Sequence, residues 1–328
     1  MNRSLLNLRK VLGFYGLLGR SPSDVSVSGR AKRRLSAVAR LLAWVTLRSY
    51  QKAFFLEQWC LMFDLGKDMS TSFGSFRKLI PPRDKFWADP QVVEAGDRYH
   101  IFIEEYLYSH RKGHISVVEM DRKGNCKGPV RVLERPYHLS YPFVFTWKGQ
   151  YYMVPESAEN RTIELYECIE FPYRWEFKMN LMEDVSAVDT TLFGYQGKWW
   201  LFTGMPDNAA ALPLARLFLY FSDEPLTTEW HPHPLNPIGP DVMTGRPAGR
   251  VFAKDGRILR PAQNGSTGYG YGFDLNEILL LSESEYRETK VMSVRPDWSR
   301  TVRATHTYSS EGQLTVIDAF MRKPRLLA

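Results

Sequence analysis

Cysteine is scarce: Cys60, Cys126 and Cys168 are far apart and odd in number in a chain of 328 residues. No Cys-x-x-Cys pair and no Cys/His ligand spacing occurs, so neither a disulfide framework nor a zinc site is expected. Reduced thiols point to a cytoplasmic protein. There is no GxGxxG, no P-loop and no Ser-His-Asp order, which argues against nucleotide and acyl chemistry and leaves no cofactor or metal expected. Long apolar runs are missing too. Leu35–Leu47 is too short to span a bilayer and contains Arg40. Val11–Gly19 follows Arg9 and Lys10 but leads to no small-residue cleavage site, so it does not read as a clean signal peptide.

Acid is nearly absent from the first fifty residues. They hold ten Lys or Arg against the single Asp24, a local charge of +9. The whole chain is +7, so the remainder sums to −2. A near-neutral body excludes a polyanion-binding surface, and with it nucleic acid. Residues 4–18 and Ala31–Phe55 show helical apolar spacing with basic residues interspersed, joined by the Ser-rich Ser21–Gly29. The expectation is a basic helical arm over 1–55, followed by a separate body over 56–328. Such an arm suits peripheral attachment to an anionic membrane, here the inner membrane, or packs as a cap on the body.

Aromatics are plentiful: 9 Trp, 17 Tyr and 19 Phe. Rings favour pleated, half-buried surfaces. From about residue 57 the chain runs in short alternating apolar stretches, punctuated by glycine turns in similar contexts at Gly96, Gly149, Gly197, Gly256 and Gly312. Their spacings are 53, 48, 59 and 56 residues. Each glycine stands between two strand-like runs, where a tight hairpin needs positive φ. Internal repeats of this period, with about four strands each, indicate propeller blades. The fold class expected is all-β, a five-bladed propeller. The last repeat is short of strands, and Gln58–Leu65 is expected to complete it and close the ring.

In a propeller the starts of the innermost strands converge on the axis. Reading back from the glycines gives Asp89, Tyr141, Asp189, Arg246 and His306, with innermost strands starting near 89, 142, 189, 247 and 305. Polar residues at every such position suggest a lined pocket. On the second strands Glu104, Glu156 and Gln263 occupy equivalent places. Arg260, Tyr269 and Tyr271 lie near them, around the glycine-rich Gly265–Gly272.

At these residues a resemblance appears. The repeats, with Ala88-Asp89-Pro90 opening the first, resemble the five-bladed furanosidase superfamily that includes family-43 glycosidases, invertases and levansucrases. Phe86–Pro90, Phe102–Glu105, His138–Phe143, Tyr152–Ser157, Arg260–Gln263 and Tyr269–Gly272 more closely resemble the N-terminal domain of glucosamine inositolphosphorylceramide transferases. In those transferases the glycosyltransferase module is a separate C-terminal domain, and related domains occur beside sugar formyltransferase modules. The resemblance implies a glycan or glycolipid ligand, with a glycosyltransferase or sugar formyltransferase as partner.

Cleaving a glycosidic bond needs one carboxylate as base or nucleophile and a second acid to protonate the leaving oxygen. Asp89 matches the first-blade carboxylate of the propeller glycosidases. Their second-blade Asp is replaced by Tyr141-Pro142, and their third-blade Glu is absent, with Asp189 nearest. The catalytic set expected is Asp89 with Glu156 or Asp189. Trp87, Glu104, His138, Tyr141, Arg246, Arg260, Gln263, Tyr269 and His306 are expected to bind substrate. Three functions stand: an enzyme acting on a glycosidic linkage, by hydrolysis or transfer; a non-catalytic propeller presenting a glycan to another enzyme; and a scaffold with a structural axis.

Overall fold

The computed structural model describes residues 54–66, 69–206, 215–239, 245–266, 268 and 270–324. The expected arm falls outside these, apart from its last positions, where Phe55 opens a strand instead of ending a helix. Among the described residues no helix is long and apolar enough to cross a membrane.

The described chain begins on β1 (Phe55–Leu65), makes one 3-10 turn at Phe73–Ser75 and continues into β2 (Arg77–Leu79). Blade one follows as β3 (Lys85–Ala95), β4 (Arg98–Leu107), β5 (Lys112–Asp121) and β6 (Cys126–Leu133). Blade two is β7 (Ser140–Trp147), β8 (Gln150–Ser157), β9 (Thr162–Glu170) and β10 (Arg174–Glu183). Blade three is β11 (Val188–Tyr195), β12 (Lys198–Pro206), β13 (Ala215–Ser222) and β14 (His231–Pro232). Blade four is β15 (Phe252–Lys254), β16 (Arg257–Asn264), β17 (Gly272–Leu281) and β18 (Tyr286–Val294). The last elements are β19 (Val302–Ala304), β20 (Tyr308–Glu311) and β21 (Leu314–Pro324). The five sheets each pair neighbouring strands antiparallel, so the protein is the expected five-bladed propeller.

The fifth blade is shared between the two ends of the described chain. β1 pairs with β21 along its whole length, from Phe55↔Pro324 to Leu65↔Leu314. β2 adds outside β1, while β19 and β20 add inside β21. This is the closure the strand deficit of the last repeat required. A closed ring leaves no blade with an uncovered face, and each junction holds its own apolar cluster. Leu61, Phe63 and Val316 of blade five meet Val92, Ile101 and Met120 of blade one. Phe102 and Val117 meet Val144 and Met153 across the next junction. Phe143 and Val154 meet Leu192 and Leu201, then Phe202 and Leu219 meet Val251 and Ile278. Phe273 and Leu275 close the circle on Tyr308 and Ile317.

All five turn glycines have positive φ, between 57° and 81°. In blades two, three and four the residue before the glycine, Lys148, Gln196 or Asp255, is also at positive φ. Two successive left-handed residues are the twist-matched turn that joins a tight hairpin.

Candidate functional site

The innermost strands break at one height. In blades one, two and three the β3–β4, β7–β8 and β11–β12 registers slip between Ala88 and Gln91, Ser140 and Phe143, and Val188 and Thr191. Each slip holds one non-glycine residue at positive φ: Asp89 (52°), Tyr141 (43°) and Asp189 (53°). In blade five the break is the gap between β19 and β20, which contains His306. In blade four it lies before β15, where Pro247 forms a lone bridge to Ala262. The expected site residues therefore do not simply precede their strands. In blades one to three they occupy bulges, which re-aim a side chain that regular alternation would direct at a neighbouring blade.

The aligned second strands complete the site. Ala88 pairs with Glu104, Ser140 with Glu156 and Val188 with Gly204. The matching backbone contacts in blades four and five are Gln263 N–H to Arg246 O at 2.8 Å and Asp318 N–H to Thr307 O at 3.4 Å. The ring thus reads Glu104, Glu156, Gly204, Gln263, Asp318. Gly204 is the exception with a purpose: a Cβ there would lie 2.8 Å from Val188 Cγ2 and 3.3 Å from Arg246 Cγ. Its missing side chain is the space through which Arg246 crosses blade three.

One network joins these groups. Arg246 Nε donates to Asp189 Oδ2 at 2.6 Å, and its Nη2 reaches Glu156 Oε2 at 3.4 Å. Gln263 Nε2 donates to the same Asp189 oxygen at 2.8 Å, and Asp189 N–H donates to Glu156 Oε2 at 3.3 Å. Tyr141 OH shares a hydrogen bond with Thr191 Oγ1 at 2.8 Å, while its N–H donates to Asp89 Oδ2 at 3.3 Å. Thr307 Oγ1 donates to Asp89 Oδ1 at 2.9 Å. His306 stands between two carboxylates, with Nδ1 2.6 Å from Asp318 Oδ2 and Nε2 3.4 Å from Asp89 Oδ1. Glu104 Oε1 faces His138 Nε2 at 3.4 Å, a close approach that Gly113 permits, because a Cβ there would crowd both side chains.

The surroundings separate the acids. Burial raises Asp89 to about 6, against the pull of His306. Burial and then the neighbouring Asp189 push Glu156 well above the usual carboxylate range, although Arg246 opposes this. Glu104 is pushed up as well, by burial first and then by Asp89 and Glu156. Burial alone would lower His306, but the Asp318 and Asp89 carboxylates outweigh it and raise the imidazole to about 9. Burial takes His138 the other way, down to about 4. Asp89, His306 and Asp318 bring one potential metal-ligand atom each within 4.8 Å of one another. Both imidazole nitrogens face carboxylates, an arrangement that stabilises an imidazolium and must be given up if His306 is to bind a metal.

Asp89, Glu104, His138, Tyr141, Glu156, Asp189, Arg246, Gln263 and His306 thus come together at the axis. Trp87 does not. Its ring packs among Leu61, Phe63 and Val316 between blades five and one, and its indole N–H donates to Glu105 at 3.4 Å. Arg260 does not either. It lies three residues before Gln263, so strand alternation turns it to the other face, where Glu288 takes it bidentately at 2.8 and 2.6 Å. Tyr269 lies outside the described residues. The sequence reading missed Asp318, fully buried, and Trp59, whose ring centroid is 4.5 Å from that of His306. An acid inside the apolar run Leu314–Phe320 was the available signal for Asp318. Two cavities, of about 610 and 160 Å³, open elsewhere on the molecule and include none of the axial carboxylates.

Residues 79–312 match the family described as glucosamine inositolphosphorylceramide transferase 1, N-terminal. The Arabidopsis thaliana protein called glucosamine inositolphosphorylceramide transferase 1 is 34% identical over 209 residues, covering 63% of this chain and 27% of the relative. Its counterpart from Oryza sativa subsp. japonica is 33% identical over 209 residues, with 63% and 28% covered. The chain therefore spans little more than a quarter of the length of these relatives. Among solved structures, a family 117 glycoside hydrolase from Zobellia galactanivorans superposes with a TM-score of 0.52 at 12% identity, covering 80% of this chain and 90% of that one. An alpha-L-arabinofuranosidase from Podospora anserina gives 0.52 at 10% identity, covering 81% and 98%. At such identities the likeness is one of fold.

Proposed function

Because the chain belongs to the family of the glucosamine inositolphosphorylceramide transferase N-terminal domain, we propose that its axial site acts on a glycosidic linkage of a glycan or glycolipid. The observation that supports this reading is the contrast between Asp89 and Glu156, two axial carboxyls whose surroundings raise them by different means. Burial raises Asp89 to about 6 against the pull of His306, whereas burial and the neighbouring Asp189 push Glu156 well above the usual carboxylate range. Acid and base roles separate where environments push two titratable groups apart. Asp89 takes the proton of the attacking hydroxyl, and Glu156 protonates the leaving glycosidic oxygen. Asp189 stays bound to Arg246 and Gln263 and holds the guanidinium beside Glu156. His306 and Thr307 orient Asp89.

The test is turnover of a panel of aryl glycosides and glycosylated inositolphosphoryl lipids, followed by NMR. Asp89→Asn and Glu156→Gln are expected to lower turnover about a hundredfold or more, with binding changed little. Full turnover in both variants overturns the assignment. A second reading, a propeller that binds a glycan and presents it to a glycosyltransferase or sugar formyltransferase, draws on the near-complete burial of Asp189 and Glu104. Ligand binding with no turnover in the unmodified protein selects it. We also propose that the basic residues of 1–55 hold the protein peripherally on anionic lipid at the cytoplasmic face of the inner membrane, near a lipid-borne glycan.

A further inference from the structure

A concavity of about 610 Å³ lies on the outer edge of the ring, between the end of β18 and the segment that leads from β1 to β2. This is the volume of a small-molecule site. One wall is the 3-10 turn Phe73–Ser75 with Ser72 before it, and the other is the turn after β18, from Arg295 to Trp298. Phe73 is buried against Phe273, and the Trp298 ring packs on Phe73 with centroids 5.0 Å apart. The aromatic floor is therefore fixed to the core between blades four and five.

Two polar groups belong to this wall. The indole Nε1 of Trp298 is buried and has no hydrogen-bond partner. Ser72 occupies the N-cap position of the 3-10 turn without making a side-chain cap bond. The charged residues of the lining, Arg295 and Asp297, are of opposite sign, and both are exposed. Asp297 disfavours an anion and Arg295 a cation, while the hydroxyl and the two charges disfavour a purely apolar guest. A neutral polyhydroxylated ring meets these conditions, with a C–H face for the aromatic floor and hydroxyls for Ser72, Arg295 and Asp297. We propose that this cleft is a second carbohydrate site, separate from the axis, which takes an uncharged glycan.

Gly74 supplies the variant that tests it. A Cβ added there meets nothing within 4 Å, and the residue is not at positive φ, so a side chain extends into open space without strain. Full-length protein is titrated calorimetrically with cellotriose, xylotriose and galactotriose, and with galacturonotriose as the charged control. The expected result is that at least one neutral trisaccharide binds and that Gly74→Gln and Trp298→Ala each weaken it at least tenfold. Equal binding by Gly74→Gln and the unmodified chain, no neutral binding up to about 10 mM, or a preference for galacturonotriose overturns the proposal. Binding kept in both Gly74→Gln and Trp298→Ala removes the second site while leaving the axial reading, which turnover tests, intact.

Discussion

Arg246 and Asp189 are 57 residues apart in sequence, yet the arginine Nε donates to the aspartate Oδ2 at 2.6 Å. The pair crosses from blade four to blade three through the gap left by Gly204. Both side chains are nearly excluded from solvent, at 10% and 2% exposure. A buried pair of this kind adds little relative to an apolar substitute, but removing one partner strands the other charge. Arg246→Ala is therefore expected to destabilise the protein by about 3–5 kcal/mol in urea unfolding. A loss below about 1 kcal/mol would show that water reaches Asp189.

Gly204→Val tests the passage itself. The new side chain collides with Val188 and the Arg246 stem, so overpacking should cost about 1–3 kcal/mol. Glycan affinity should fall with it, because the guanidinium no longer reaches Glu156. Unfolding and calorimetry read the two effects separately, and an unchanged affinity would take Arg246 out of the binding surface.

The acid-flanked imidazole sets a pH dependence. His306 is raised from 6.5 to about 9, so the folded state holds its proton more tightly than the unfolded chain. The stabilisation is complete below about pH 6.5 and disappears as pH rises through about 9. Asp89, raised from 3.8 to about 6, acts in the same direction in a lower window. Glu105 opposes both. Burial would raise it, but hydrogen bonds from His114, Lys85 and Ser116 bring it to about 2, so its contribution is lost as pH falls from 4.5 through 2. Thermal unfolding from pH 6.5 to 9 should show Tm declining in the unmodified protein and less steeply in His306→Gln. Parallel profiles would mean that His306 is neutral in the fold.

Ring closure depends on β1. It forms the centre of blade five, and Leu61 and Phe63 are 0% and 2% exposed. Leu61→Ala is expected to cost about 2–5 kcal/mol, comparable to a similar truncation in blade two such as Val154→Ala. A negligible effect in urea unfolding would mean that the fifth blade opens independently of the ring.

Vesicle sedimentation addresses the basic arm. At low salt the full chain is expected to pellet with anionic vesicles and release as salt is raised, because the attraction is screened. A protein starting at residue 56 is expected to stay in the supernatant. Equal, negligible pelleting of both would end the membrane proposal.

Much of the fold was legible because its cause is local. A tight hairpin that needs a left-handed residue favours glycine whatever the rest of the molecule does, so the turns at Gly96, Gly149, Gly197, Gly256 and Gly312 marked the blades. The strand deficit of the last repeat, with a spare run at Gln58–Leu65, also determined the closure. Strand-start positions were enough to bring Asp89, Tyr141, Asp189, Arg246 and His306 to the axis. What a side chain does once it arrives is not local. Trp87 and Glu105 face each other across one ladder, while Asp89 is turned away from that face by a bulge that no spacing rule announces. Asp318 is one acid in an apolar strand, and only the pairing of β21 with the inner strand of its blade sets it 2.6 Å from His306. Nothing in the sequence around Gly204 announces that the Arg246 side chain lies against it. The sequence by itself determined how many blades form and where each turns, because those follow from short-range φ preference and alternation. Only the closed ring decided which charges pair, which carboxyls are pushed upward and which aromatic rings remain at the site, because pairing and desolvation depend on residues that the chain brings together from five distant segments.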